Sequence, residues 1–321
     1  MKVGVLTSGG DSPGMNACIR AIIRVGICHD FEMVGIYGGL QGLLDKRLKE
    51  MHARSVANIL HRGGTMLTTG RSEEFRSEEG QKKAARILDE EGIEGLIAIG
   101  GNGTMQGMHK LQKYWSGKII GLPGTIDNDI YGTDFSIGFD TAVNNAIEAV
   151  DKIRDTAQSF DRLFLIEVMG RHSGDIALHV GISCGAEGIL IPETSTNLKA
   201  LAEGIIAGRR RGKSFVFIIV AEGDEEGDAL EISSKLYDLV HEKGRVSVLG
   251  YIQRGGNPTR MDRILATRLG AYSIKCLAKG KTGILVGEVG CQLTETPFKE
   301  SFSTKKEIDK ELLDLVEHLS I

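Results

Sequence analysis

Residues 121–130 read Gly-Leu-Pro-Gly-Thr-Ile-Asp-Asn-Asp-Ile and hold two carboxylates, Asp127 and Asp129, two positions apart. In an extended segment that spacing turns both side chains to one face. Two neighbouring carboxylates repel, which raises the pKa of one of them. One is then suited to take a proton from a hydroxyl while the other faces a metal-bound phosphate. Asp and Asn clusters also form ordinary turns. This one follows an apolar run and a Pro-Gly pair, a position where ligands are met.

Four further segments combine glycine with polar residues in the same way. Residues 7–16, Thr-Ser-Gly-Gly-Asp-Ser-Pro-Gly-Met-Asn, let the backbone approach a ligand closely at Gly9 and Gly10. Pro13 suits the start of a helix, whose N-terminus attracts anions. Residues 100–104 read Gly-Gly-Asn-Gly-Thr. With Gly107 they loosely resemble a dinucleotide fingerprint with one residue too many, and they lack the lysine of a P-loop. The only Gly-Lys-Thr, residues 280–282, has Lys275 where a P-loop needs its first glycine. Residues 167–175, Glu-Val-Met-Gly-Arg-His-Ser-Gly-Asp, put Arg171 in a glycine turn, where a guanidinium suits a phosphate or its transition state. Residues 248–263 place Arg254 just before two glycines and a helix start. Each segment also fits a structural turn or a surface ion pair. Five of them together point to a phosphate-rich ligand pair and phosphoryl transfer.

Such turns need a scaffold that presents them together. Short apolar runs (Lys-Val-Gly-Val-Leu, Gly-Leu-Ile-Ala-Ile-Gly, Lys-Ile-Ile-Gly-Leu, Leu-Phe-Leu-Ile-Glu-Val, Phe-Val-Phe-Ile-Ile-Val-Ala-Glu) alternate with helix-like stretches at 15–25, 78–91, 105–114, 141–155 and 175–184. Strands apolar along their whole length are covered on both faces. Alternation of strand and helix predicts an α/β fold with largely parallel sheets, in which ligands sit at the carboxyl ends of strands. The chain has 321 residues, long enough for two packed domains. Its net charge of -4 speaks against a nucleic-acid binder, and no apolar run approaches the roughly 20 residues that span a membrane. The expected location is cytoplasmic: the first residues run straight into a strand, and five scattered cysteines suit reduced thiols.

The order and wording of these segments resemble the bacterial ATP-dependent 6-phosphofructokinase family over nearly the whole chain. The resemblance implies two Rossmann-like three-layer α/β/α domains. The larger, nucleotide-binding one would hold residues 1–137 and 251–302, and the smaller, sugar-phosphate one residues 138–250 and 303–321. It implies transfer of the γ-phosphate of MgATP to the 1-hydroxyl of fructose 6-phosphate in glycolysis. Gly10, Arg71, Ser72, Asn102, Gly103 and Thr104 then hold ATP, and Asn102 and Asp129 serve Mg2+. Asp127 is the base, with Thr125, Asp129 and Arg171 at the transfer site. Thr125, Ile126, Asp127, Met169, Gly170, Arg171, Glu222, Tyr251, Ile252, Gln253 and Arg254 meet the sugar phosphate. Arg162 and Arg245 reach it from a neighbouring subunit, which implies a homotetramer. Arg20, Arg24, Arg154, Gly185, Ala186, Glu187, Arg211 and Lys213 match an effector site for ADP or phosphoenolpyruvate.

Glycine at 103 and 124, where pyrophosphate-using relatives carry Asp and Lys, favours ATP as donor. Pyrophosphate dependence and a non-catalytic sensor of the same fold are the alternatives. The sequence departs from the family pattern at Asn102 (usually Asp), Tyr251 (usually His), and Ala53 and Arg54 (usually Arg and Tyr). The first loses a charge on the metal, the second a cation on the sugar phosphate, and the last pair alters the effector surroundings.

Overall fold

The computed structural model describes residues 1–157 and 162–319; residues 158–161 and 320–321, all in the expected smaller domain, lie outside the described residues. The elements in chain order are β1 (Lys2–Ser8), α1 (Met15–Cys28), β2 (Glu32–Ile36), α2 (Gly39–Leu44), β3 (Leu48–Met51), α3 (Glu73–Arg76), α4 (Glu78–Glu90), β4 (Gly95–Gly100), α5 (Asn102–Leu111), β5 (Lys118–Pro123), α6 (Phe139–Ala157) and β6 (Leu163–Val168). They continue as α7 (Asp175–Cys184), β7 (Gly188–Leu190), α8 (Leu198–Arg210), β8 (Val216–Ala221), α9 (Ala229–Val240), β9 (Arg245–Val248), α10 (Arg260–Ala278), β10 (Ile284–Val289), β11 (Gln292–Pro297), α11 (Phe298–Ser303) and α12 (Lys310–Leu319).

The chain forms two compact units. Unit 1 is Met1–Thr141 with Arg254–Lys306, and unit 2 is Ala142–Gln253 with Glu307–Ile321. The crossings lie three or four residues beyond the expected 137/138, 250/251 and 302/303. Hydrogen bonds explain two of the offsets. Thr141 is bonded through its N–H and hydroxyl to Asp262, which keeps the first turn of α6 in unit 1. Gln253 accepts from the Met169 N–H through its side chain, which keeps it in unit 2.

Unit 1 is a seven-stranded sheet in the order β11-β10-β5-β4-β1-β2-β3. Its central strands are parallel, and β11 and β3 run antiparallel at the edges. The period of two in each strand sorts side chains between two cores. Val3, Val5, Ile97, Ile99, Ile120 and Leu122 join Met15, Ile19 and Ile22 of α1 and Leu269 and Leu277 of α10. Leu6, Leu96, Ala98 and Ile119 face the other way, onto Leu88 of α4 and Met105 and Met108 of α5. Each fully buried Val, Leu, Ile or Met among them contributes about 1.5–3 kcal/mol relative to exposure.

Helix α5 starts at Asn102, three residues earlier than the sequence pattern predicts, because the N–H groups of Thr104 and Met105 both donate to the Gly101 carbonyl (2.9 and 3.2 Å). Residues 102–104 are therefore the first helical turn and not a loop before it.

Unit 2 is a parallel four-stranded sheet in the order β7-β8-β6-β9. Leu163, Leu165, Val216, Ile218 and Val220 pack with Ala202 and Ile205 of α8 and Ile232 and Leu236 of α9. Helix α7 packs on β7 and β8 from the other side, with α12 against it, completing three layers. Side-chain caps start α8 and α9: Asn197 accepts from Ala200 N, and Asp228 and Glu231 form a capping box. Among the described residues no helix is long and apolar enough to cross a membrane.

Candidate active site

In unit 1 the connections of β1 and β4 leave in opposite directions, so the carboxyl ends of these neighbouring strands open a crevice, the usual ligand position of such sheets. Ser8 stands beside Gly100 and Gly100 beside Pro123 in register. The turns that begin at Gly9, Gly101 and Gly124 thus leave three adjacent strands at one end. Gly9 takes a left-handed φ of 89°, and Gly10 is exposed. The Thr104 hydroxyl donates to the Ser8 carbonyl at 3.3 Å and ties the second turn to the first. A Cβ on Gly100 would stand 2.3 Å from that hydroxyl oxygen and 2.5 Å from the Ser8 carbonyl, so only glycine fits there. The Asn102 and Gly103 N–H groups, which have no partner among the described residues, suit an anion.

The 125–129 loop does not follow the extended reading. Asn128 adopts a left-handed φ of 52°, which breaks the alternation and separates the two carboxylates: Asp127 is buried (6% exposed) and Asp129 exposed. The bend is held by side chains. Asn128 Oδ1 accepts from the Ser136 N–H at 2.8 Å, and its Nδ2 donates to the Asp134 carbonyl at 3.1 Å. The Ser136 hydroxyl donates to the Thr125 carbonyl at 2.7 Å, and the Asp127 N–H donates to Thr125 Oγ1 at 3.2 Å. Ile126 is fully buried beneath.

The Asn102 side chain leans on this loop, donating from Nδ2 to the Asp129 carbonyl at 3.2 Å. Its Oδ1 is buried and has no hydrogen-bond partner among the described residues. A buried carbonyl oxygen left unmade is costly and suits a hard cation that takes its other ligands from phosphate and water. Among the described residues no cluster of three His, Cys, Asp or Glu side chains forms a closed metal cage. Asn102 Oδ1 and the exposed Asp129 carboxylate are oxygen donors of the kind a hard cation takes.

Two further nucleotide candidates differ in availability. Arg71 is exposed. The Ser72 hydroxyl is engaged: it accepts from Phe75 N as the cap of α3 and donates to Gln41 Oε1 at 2.7 Å. Gly103 has open space where a Cβ would go, whereas one on Gly124 would stand 2.7 Å from Ile99 Cγ2 and 3.0 Å from Met15 Cε. Arg254 belongs to unit 1 and donates from Nη1 to the Asp11 carbonyl at 3.1 Å.

In unit 2 the loops after β6 and β8 meet. Arg171 takes a left-handed φ of 56°, and its N–H donates to Glu222 Oε1 at 2.8 Å. Gly170, at φ 145°, accepts from Ser173 N, and a Cβ there would stand 2.3 Å from the Ser173 carbonyl. The Met169 N–H donates to Oε1 of the fully buried Gln253 at 2.9 Å, and Gln253 Nε2 has no partner among the described residues. Tyr251 and Ile252 are 84% and 59% exposed.

Arg162 and Arg245 lie at the opposite end of the same sheet. Arg162 precedes β6, and Arg245 opens β9 opposite Phe164. The length of β6, about 20 Å at strand rise, separates them from the Met169–Arg171 turn.

The effector candidates divide. In unit 2, Glu187, Arg211 and Lys213 line a cavity of about 230 Å³ floored by Leu201, Ile205 and Val216. Lys213 pairs with Glu187 at 3.0 Å, and Glu187 Oε2 accepts from Phe217 N at 2.5 Å. Arg154 does not line that cavity: it donates to the Cys184 carbonyl and lies over the Phe217 ring. Gly185 closes α7 at φ 60°, and Ala186 is buried behind it. In unit 1, Arg20 is half-buried and Arg24 exposed on one face of α1, and Ala53 and Arg54 are exposed.

Sequence reasoning missed the residues that hold these loops. Asn16 grips residues 62–66 through the Arg62 and Gly63 carbonyls and the Met66 N–H. Asp262 caps α6, accepting from Gly138 N (2.7 Å) and Thr141 N (2.8 Å). Nothing near either residue in the sequence signals a partner so far along the chain.

Residues 2–277 match the profile of the family described as "Phosphofructokinase". The chain is 50% identical over 320 residues to ATP-dependent 6-phosphofructokinase 1 of Thermus thermophilus, covering 100% of this chain and 99% of that protein. It is 51% identical to ATP-dependent 6-phosphofructokinase of Shouchella clausii at the same coverage. Among solved structures it resembles phosphofructokinase from Saccharomyces cerevisiae, at 35% identity and a TM-score of 0.89, covering 99% of this chain and 47% of the yeast chain. The chain thus spans about half the length of that yeast protein.

Proposed function

The chain belongs to the phosphofructokinase family, and on that premise we propose that it transfers the γ-phosphate of ATP to the 1-hydroxyl of fructose 6-phosphate, giving fructose 1,6-bisphosphate and ADP. The carrying observation is the full-length identity of about half to proteins named ATP-dependent 6-phosphofructokinase. The three glycine turns at the ends of β1, β4 and β5 support it from the side of chemistry.

Phosphoryl transfer asks a protein for positioning and electrostatics more than for covalent chemistry. Gly10, Arg71, Ser72 and the first turn of α5 hold the nucleotide phosphates. Asp127, kept in place by the Thr125–Ser136 bonds, takes the proton of the sugar hydroxyl. Thr125 and Ile126 line the transfer site. Arg171, set by Glu222 and by its left-handed backbone, offers its charge to the transferring phosphoryl. Met169, Gly170 and Glu222 orient the sugar, with Tyr251, Ile252, Gln253 and Arg254 beside it. Asn102 Oδ1 and Asp129 would hold Mg2+, which when bound neutralises charge on the phosphoryl oxygens.

Arg162 and Arg245 act on the sugar phosphate of a neighbouring copy in a homotetramer. Their place at the far end of the unit 2 sheet from Arg171 supports this, since within one chain they stand away from that loop. The effector, ADP or phosphoenolpyruvate, binds at a subunit interface to Glu187, Arg211 and Lys213 of the cavity, with Arg20, Arg24 and Arg154 as further basic residues outside it. The enzyme works in glycolysis in the cytoplasm, in keeping with five free thiols.

A coupled assay with ATP and with pyrophosphate, across a magnesium titration, tests the reading. Turnover with ATP is expected. No turnover with either donor at saturating magnesium refutes the kinase, and turnover with pyrophosphate alone refutes the donor.

A further inference from the structure

The Arg254 guanidinium lies on the first glycine turn. Besides the 3.1 Å bond from Nη1 to the Asp11 carbonyl, a Cβ added to Gly10 would stand 2.9 Å from Nη1, 3.4 Å from Cζ and 3.6 Å from Nη2. The guanidinium thus spans the place a side chain at position 10 would take. Two side chains hold the turn on either side of Gly10. The Thr69 hydroxyl donates to the Gly9 carbonyl at 2.9 Å on one side, and Arg254 holds the Asp11 carbonyl on the other. Gly9 sits at φ 89° and Gly10 is exposed; Thr69 holds the Gly9–Gly10 peptide that carries the Gly10 N–H, and Arg254 holds the backbone just after Gly10.

A guanidinium has five donors in a rigid plane, so it can hold a carbonyl with one N–H and an anion with the others. We propose that Arg254 is a positioning residue for the nucleotide as well as a ligand of the sugar phosphate: its grip on Asp11 orients the Gly10 turn, and each substrate thereby alters the affinity of the other through this side chain. The identity of the sugar phosphate rests on the function proposed above; the contact with the nucleotide turn does not. Glycine at position 10 then serves two ends, close approach to a phosphate and room for the guanidinium. Coupling of this kind is reciprocal, so a change at Gly10 is felt by the sugar and a change at Arg254 by the nucleotide.

The experiment measures equilibrium binding of a non-hydrolysable ATP analogue to the full chain with no sugar present, and of fructose 6-phosphate with no nucleotide present. Arg254→Lys keeps the charge and loses the plane. It is expected to weaken the ATP analogue about fivefold, the scale of one net hydrogen bond. Arg254→Ala weakens it at least as much, and Gly10→Ala weakens the sugar phosphate by a similar factor. Nucleotide affinity within about twofold of wild type in both Arg254 variants, less than one hydrogen bond is worth, overturns the proposal. So does loss in Arg254→Ala with none in Arg254→Lys, since charge alone then accounts for it. A wild-type protein that binds the ATP analogue but not fructose 6-phosphate refutes the proposed substrate, while the Arg254 arm still decides the positioning role. Melting temperatures equal to wild type confirm that the variants are folded.

Discussion

The Asp262 carboxylate holds Thr141 twice, accepting from its N–H at 2.8 Å and its hydroxyl at 2.5 Å. With the Gly138 N–H on its other oxygen, it fixes the turn that runs back through Ser136 to Thr125. It is 1% exposed, and burial pushes its pKa from the ordinary 3.8 up to about 6 against the opposing hydrogen bonds. A carboxyl whose folded pKa is raised contributes stability that is complete below about pH 4 and lost as pH rises through 6, here about 3 kcal/mol. Asp262→Asn does not titrate. Its melting temperature relative to wild type is expected to climb between pH 4 and pH 7.5, and a constant difference would show that Asp262 is ionised in the folded protein over that range as it is in the unfolded chain.

Asp127→Asn should lower turnover about 100-fold or more, the scale of a lost general base, with fructose 6-phosphate binding nearly intact. Arg162→Ala should lower sugar-phosphate affinity. If the two residues serve one site from two chains, hybrids reassembled from both variants regain activity beyond the sum of the parents. Activity equal to that sum means each chain works alone.

Asn102→Asp places a charge where the buried Oδ1, without a partner among the described residues, now stands. The magnesium needed for half-maximal activity should fall, because a carboxylate binds the ion more tightly than an amide. An unchanged requirement would mean that this side chain never meets the metal.

The two donor-linked glycines should respond differently. Gly103→Asp enters open space and is expected to leave the melting temperature unchanged while raising KM for ATP. Gly124→Ala forces a Cβ against Ile99, Met15 and the Gly100 backbone, and overpacking of this kind costs about 1–3 kcal/mol. Thermal melts beside ATP kinetics separate the two. Equal melting temperatures for both variants would show that the Gly124 site relaxes freely.

By itself the sequence determined the α/β class and where the glycine loops fall. Continuous apolar runs, helical stretches and glycine breaks are local signals, and Gly10, residues 102–104, residues 125–129 and residues 169–171 all fall just at or beyond strand ends. Tertiary structure decided what each loop does with its residues. The left-handed Asn128 parted Asp127 from Asp129 because Ser136 and Asp134 bond its side chain. The Ser72 hydroxyl became a helix cap, and Arg162 and Arg245 fell at the far end of the sheet that bears Arg171. Arg254 found the Asp11 carbonyl 243 residues away. Such pairings follow from strand order and register, which place distant residues side by side and leave no trace in the residues next to either one.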